Sequence, residues 1–163
     1  MNNKKLKIDT TQTSEKFSPF AEEIVDFLVD SLLKIDFLDK EIFERNKALL
    51  NPKQPNIIQP GELELDAEYL ERRKIITDSI CSKPQKKYGF LPGNPSIYDY
   101  LNAVNIKFDF IMKSNSRAII EIGYVYFTQR KDQFILKKVD DKWRIDSKNL
   151  ILEGKTKLYK SEI

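Results

Sequence analysis

The hydrophobic period of the chain changes once, near residue 104, and this change restricts the fold more than any other feature of the sequence. Before it, apolar residues recur at spacings of three and four. After it they alternate. Val104, Ile106, Phe108, Phe110 and Met112 interleave with Asn105, Lys107, Asp109, Ile111 and Lys113, the pattern of a half-buried strand. Lys113-Ser114-Asn115-Ser116 predicts a turn. Ile120, Ile122, Tyr124 and Tyr126 make one face of the next strand, with Ile119, Glu121, Val125 and Phe127 on the other. Gly123 in mid-strand predicts a bulge or bend that curves the sheet. Polar Gln129 to Asp132 reads as a loop leading into a strand over Phe134–Val139. Asp140-Asp141-Lys142 then turns the chain into Trp143-Arg144-Ile145-Asp146. Connections this short join antiparallel strands. One more strand is expected around Lys157 to Tyr159.

The helical half comes first. Ser18-Pro19 has the form of an N-cap followed by proline at the first helical position. Phe20, Ile24, Phe27, Leu28, Leu32 and Ile35 then follow one helix face, and Glu22, Glu23, Asp26 and Asp30 the other. Asp36, with Asp39 three residues on, predicts the start of a second helix. Leu38, Ile42 and Leu49 line that helix, and Asn51-Pro52 ends it. Residues 51–61 hold three prolines and a glycine and read as a loop. Asp66 predicts the cap of a third helix carrying Tyr69, Leu70, Arg73, Ile76 and Ile80, stopped by Lys83-Pro84. Its early acids and later basic residues match the helix dipole. Helices followed by an antiparallel meander give an α+β fold with the helices packed on one sheet face. Residues 1–16 are polar and aperiodic, and are expected to form a flexible N-terminus ahead of a single domain over 17–163.

Composition removes several function classes. The 163 residues contain no histidine, which excludes Ser-His-Asp and Cys-His nucleophile activation and histidine zinc sites. A single cysteine, Cys81, cannot form an internal disulfide, and its apolar setting reads as a structural thiol. A formal net charge of +3 is too small to argue for nucleic acid. The first residues lack the apolar core of a signal peptide, and no apolar run reaches the ~18 residues of a membrane span. The expectation is a cytoplasmic protein with no membrane partner. Scattered glycines match no phosphate-binding loop, so no nucleotide cofactor and no metal is expected. The run Gly123–Phe127, GYVYF, does not fit an RNA-stacking strand, because Ile122 precedes the glycine and all helices come before the sheet. Lys83, Lys86, Lys87 and Tyr88 read as a solvated basic loop. An enzymatic alternative would use Asp99, Asp109 or Glu121 as a buried general base with Tyr124 or Tyr126 as hydrogen-bond donor.

The segment Phe134–Lys148, FILKKVDDKWRIDSK, resembles the closing hairpin of the NTF2-like (cystatin-cone) superfamily: a strand, an acidic turn, and a Trp-x-Ile-Asp strand. Helices ahead of a bent antiparallel sheet are similar to the same fold. The resemblance implies that Trp143 and Ile145 bury against the helices while Arg144 and Asp146 face out. Within that superfamily the chain is most similar to the immunity proteins of bacterial polymorphic-toxin systems, the RhsIA-like group. The residues that carry this likeness span about 66–148: the connection with Lys83, Lys86, Lys87 and Gly89, then Pro95-Ser96-Ile97-Tyr98-Asp99, the YVYFTQ strand, and Trp143–Lys148. The resemblance implies a non-enzymatic inhibitor that binds the C-terminal domain of a cognate toxin and blocks its active site or substrate access. Contact residues expected under that reading are Glu62, Glu64, Glu68 and Tyr69 at the entrance to the third helix, and Tyr98, Asp99 and Tyr100 before the sheet. Acids there would suit a basic toxin.

Overall fold

The computed structural model describes residues 6–86 and 91–163. It is a mixed α+β arrangement of two helices and one open, curved six-stranded sheet. A short strand β1 (Lys7–Asp9) precedes helix α1 (Ala21–Leu49) and helix α2 (Glu62–Ile80). The meander follows: β2 (Lys107–Ser114), β3 (Arg117–Tyr126), β4 (Thr128–Val139), β5 (Lys142–Leu152) and β6 (Leu158–Ser161). Strand order equals chain order; β1 runs parallel to β2 and every other pair is antiparallel.

Two helices occupy the place of the three expected. No proline or glycine interrupts residues 21–49, so nothing in the backbone stops propagation. Asp36 and Asp39, expected to start a new helix, instead lie inside α1 with their side chains buried at 4% and 1% exposure. Both carboxylates bind across the fold. Asp36 accepts from Lys40 Nζ at 2.8 Å, from Asn102 Nδ2 at 3.1 Å and from the Ser96 hydroxyl. Burial pushes its carboxyl up, but these three donors and the Lys40 charge outweigh burial and hold it below the ordinary aspartate value. At the start of α1, Ser18 makes no cap; a 3₁₀ turn over Ser18–Phe20 leads in, and the Ser18 hydroxyl donates back to Glu15 O at 3.2 Å. α2 begins four residues before Asp66, because Gly61 at φ 92° turns the chain directly into Glu62.

The core follows from which side chains the meander turns inward. Phe108, Phe110 and Met112 of β2, Ile120 and Ile122 of β3, Phe134 and Leu136 of β4 and Ile145 of β5 are all buried. Ile24, Val25, Leu28, Leu32 and Ile35 of α1 pack in the same cluster. The second half of α1 departs from it: Leu38 and Ile42 form a separate small cluster with Leu65 and Tyr69 of α2. The other sheet face is a polar ladder in which Lys131 bridges Glu121 at 2.9 Å and Asp109 at 3.3 Å. Gln133 donates to Glu121 and Asn149 to Gln133.

Local departures from the expected strands have physical causes. Gly123 pairs in register with Lys107 and Lys131; the register shifts lie instead at Met112/Ser114 and at Ile135/Leu136. Residues Gln129 to Asp132 are strand, not loop, because Phe127 at φ 57° reverses the chain between Tyr126 and Thr128. The turn expected over Asp140-Asp141-Lys142 is made by Asp140 and Asp141 alone, at φ 49° and 59°; Lys142 already belongs to β5. Ile145 is buried, whereas Trp143 is only half-buried against the core. Arg144 and Asp146, expected to face out, are engaged: Arg144 donates to Ser79 O at the end of α2. Asp146 accepts from Ser82 Oγ at 2.8 Å and pairs with Lys137 at 3.1 Å. Residues 6–16, expected to be flexible, hold the edge of β2. Lys7–Asp9 pairs with Lys107–Asp109, and the Thr13 hydroxyl donates to Phe110 O at 2.7 Å and accepts from Met112 N at 3.1 Å. Lys87, Tyr88 and Gly89 lie outside the described residues. Among the described residues, no helix is long and apolar enough to cross a membrane.

Candidate functional site

The loop ahead of α2 and the first turn of the helix bring three large apolar side chains to the surface within seven residues. Ile57, Ile58 and Leu63 are 57%, 65% and 66% exposed. A turn fixes this segment: Glu62 N donates to Gln59 O at 3.2 Å, while the Glu62 carboxylate accepts from Gln59 N. Leu49, at the end of α1, lies against the Cα of Gly61. Glu62 is half-buried by its turn and Glu64 is exposed. Three exposed apolar side chains thus lie close in sequence to Glu62 and Glu64 on a segment held by a turn and by Leu49.

Of the other expected contact residues, Glu68 is committed within the helix pair. Arg45 forks onto it at 2.6 and 2.7 Å, and Arg72 bridges Glu68 and Glu41. The hydrogen bond from Arg45 draws the Glu68 carboxyl down to about 2. Tyr69 is fully buried and donates to Asp39 at 2.8 Å, beside Arg73, which also reaches Ile163 O at 2.6 Å. Tyr98 is fully buried as well. Asp99 and Tyr100 sit on a 3₁₀ turn, Asp99–Asn102, that periodicity did not disclose. Asp99 pairs with Lys40 at 2.7 Å. Tyr69 and Tyr98 therefore build the interior, and Glu62 and Glu64 lie close in sequence to the apolar set.

The acids named for an enzymatic alternative lie away from any buried site. Asp109 and Glu121 are on the polar ladder, tied to Lys131, and Asp99 is at the surface. A buried carboxylate that none of these expectations named is Asp132, 1% exposed, on the inner face two residues before Phe134. Tyr100 donates to it at 2.8 Å and Tyr124 at 3.2 Å, with the two rings stacked 4.0 Å apart; Lys148 Nζ stands 3.4 Å away. The Lys148 ammonium also lies 4.8 Å over the Tyr98 ring. Burial pushes the Lys148 amine down against the pull of Asp132, and burial pushes the Tyr100 and Tyr124 phenols up. The carboxylate thus has donors from three side chains already in place, an arrangement that locks the inner face together. Asp132 falls in the polar run Gln129–Asp132, whose composition predicts a loop and hides this cluster. The alternation Arg130, Asp132, Phe134, Leu136 was the available signal. Cys81 is buried, and burial pushes its thiol up to about 12, as suits a structural cysteine.

Among the described residues, no group of three or more acidic or cysteine side chains is placed to hold a metal ion. Compared with protein-family models, curated proteins and solved structures, the chain matches none.

Proposed function

We propose that this protein is an immunity protein: a non-enzymatic binder that neutralises a cognate bacterial toxin domain by covering its active site or substrate access. The observation that carries the reading is the exposed Ile57, Ile58 and Leu63 set close in sequence to Glu62 and Glu64. Two further features support it. Helices packed on the inner face of a curved antiparallel meander are compatible with an NTF2-like cone, the fold expected of such a protein. The buried acid Asp132 is held by donors from three side chains, which suits a scaffold better than a general base.

In this reading Leu63 and Ile58 enter an apolar depression on the toxin and Glu64 meets a basic group at its rim. Truncating a hot-spot anchor at a desolvated interface centre costs about 2 kcal/mol or more. The test is co-expression with the C-terminal domain of the toxin encoded beside this gene. The expected results are rescue of growth and a co-purifying complex that Leu63→Glu disrupts while the protein stays folded. Rescue by Leu63→Glu equal to that of the native chain would move the docking surface elsewhere. No rescue and no complex with the native chain would remove the function.

A further inference from the structure

A cavity lies at the end of the sheet where β3 turns into β4, with Tyr100 and Tyr124 in its lining. Its volume is about 800 Å³, within the ~300–1,000 Å³ usual for small-molecule sites. Its apolar lining includes Val104, Ile106, Ile151 and Leu152. The stacked tyrosines form another part of it. Both hydroxyls donate to Asp132, so they bring ring surface to the cavity with their protons already committed.

Charge enters this cavity unevenly. Lys131 is tied to Glu121 and Asp109, and Glu153 accepts weakly from Gln129 N at 3.4 Å. Arg130 is different. Among the described residues it makes no ion pair with an acid and its solvent-shielded Nε has no hydrogen-bond partner, while its guanidinium lies 5.0 Å over the Tyr126 ring. A shielded donor without an acceptor costs about 1–3 kcal/mol, and a guanidinium pairs best with a planar anion that takes two N–H groups at once. Lys155 adds a second cation to the lining.

We infer that this cavity binds a small amphiphilic carboxylate, its carboxylate on Arg130 and its apolar body against Val104 and Ile151. The site is independent of the toxin-binding surface, which lies at the start of α2, so either can fail alone. Calorimetric titration of the full chain at pH 7 with octanoate and with 1-octanol tests it, because the two share a tail and differ in charge. Charge-assisted hydrogen bonds contribute about 1.5–3 kcal/mol, so octanoate is expected to bind roughly tenfold or more tighter than octanol. Arg130→Gln is expected to abolish that preference, leaving both ligands equally weak. Should Arg130→Gln fail to fold, Val104→Asp puts a like charge on the exposed wall and is expected to eliminate octanoate binding. Equal affinity for the two ligands, no octanoate binding at millimolar concentration, or octanoate binding unchanged in the variant used would overturn the inference.

Discussion

The Asp132–Lys148 pair makes a quantitative demand on stability. The two side chains are 2% and 8% exposed and 3.4 Å apart; at an effective dielectric of ~20 their attraction is about 5 kcal/mol. Much of that is offset by desolvation, since burial pushes the Lys148 amine down even beside a carboxylate. Lys148→Met removes the cation and leaves Asp132 charged, held by the Tyr100 and Tyr124 hydroxyls alone. Breaking one side of a buried pair costs about 3–5 kcal/mol; two remaining donors and relief of lysine desolvation reduce this to about 2–3. Asp132→Asn strands the ammonium and is expected to cost slightly more. In the double variant neither charge remains, and Tyr100 still has an amide oxygen to donate to. The cycle should therefore show a coupling of about 2 kcal/mol, the double variant being more stable than the sum of the singles implies. Urea unfolding at pH 7 reads this directly: with a slope near ~2 kcal/mol/M, each single variant shifts its midpoint down by about 1 M or more. Additive singles, with coupling under about 0.5 kcal/mol, would refute the claim that these groups form a buried, mutually dependent pair.

Two predictions concern titration. Burial pushes the Tyr69, Tyr98, Tyr100 and Tyr124 phenols up. Of the seven tyrosines, these four should stay protonated in the folded protein near pH 10–11, and absorbance at 295 nm should show their ionisation only on unfolding. The folded state then holds protons that the unfolded chain has lost, so stability falls as pH rises past about 10. Asp36 behaves oppositely: its folded carboxyl lies below its unfolded value, so its contribution is present above about pH 4 and lost as pH falls. Asp36→Asn should flatten the acid limb of the stability curve, whereas a variant with the native acid dependence would show that Ser96, Asn102 and Lys40 do not hold that carboxylate.

The alternation of apolar residues from Phe108 onward disclosed the meander, because a sheet with one buried face imposes period two on each strand. Its turns were legible where the turn residues were ordinary, as at Asn115–Ser116 and Asp140–Asp141. Phe127 escaped because nothing in an aromatic residue announces a positive φ. The helix break expected at Asp36 fails for a related reason: a cap and a buried tertiary ligand use the same side chain, and only the partners Ser96 and Asn102, 60 and 66 residues away, distinguish them. β1 is three residues long, too short for a periodic signal. At the candidate site, Glu62 and Glu64 were legible as surface acids. Tyr69 and Tyr98 were placed at the surface because a helical or loop tyrosine shows its burial only through partners distant in sequence.

The most direct measurement is growth of a bacterial host expressing the C-terminal domain of the toxin encoded beside this gene, with and without this protein. The proposed function predicts restored growth with the native chain, lost with Leu63→Glu, and a complex that co-purifies in the first case only. Continued killing in the presence of soluble, folded native protein, with no complex formed, would contradict it.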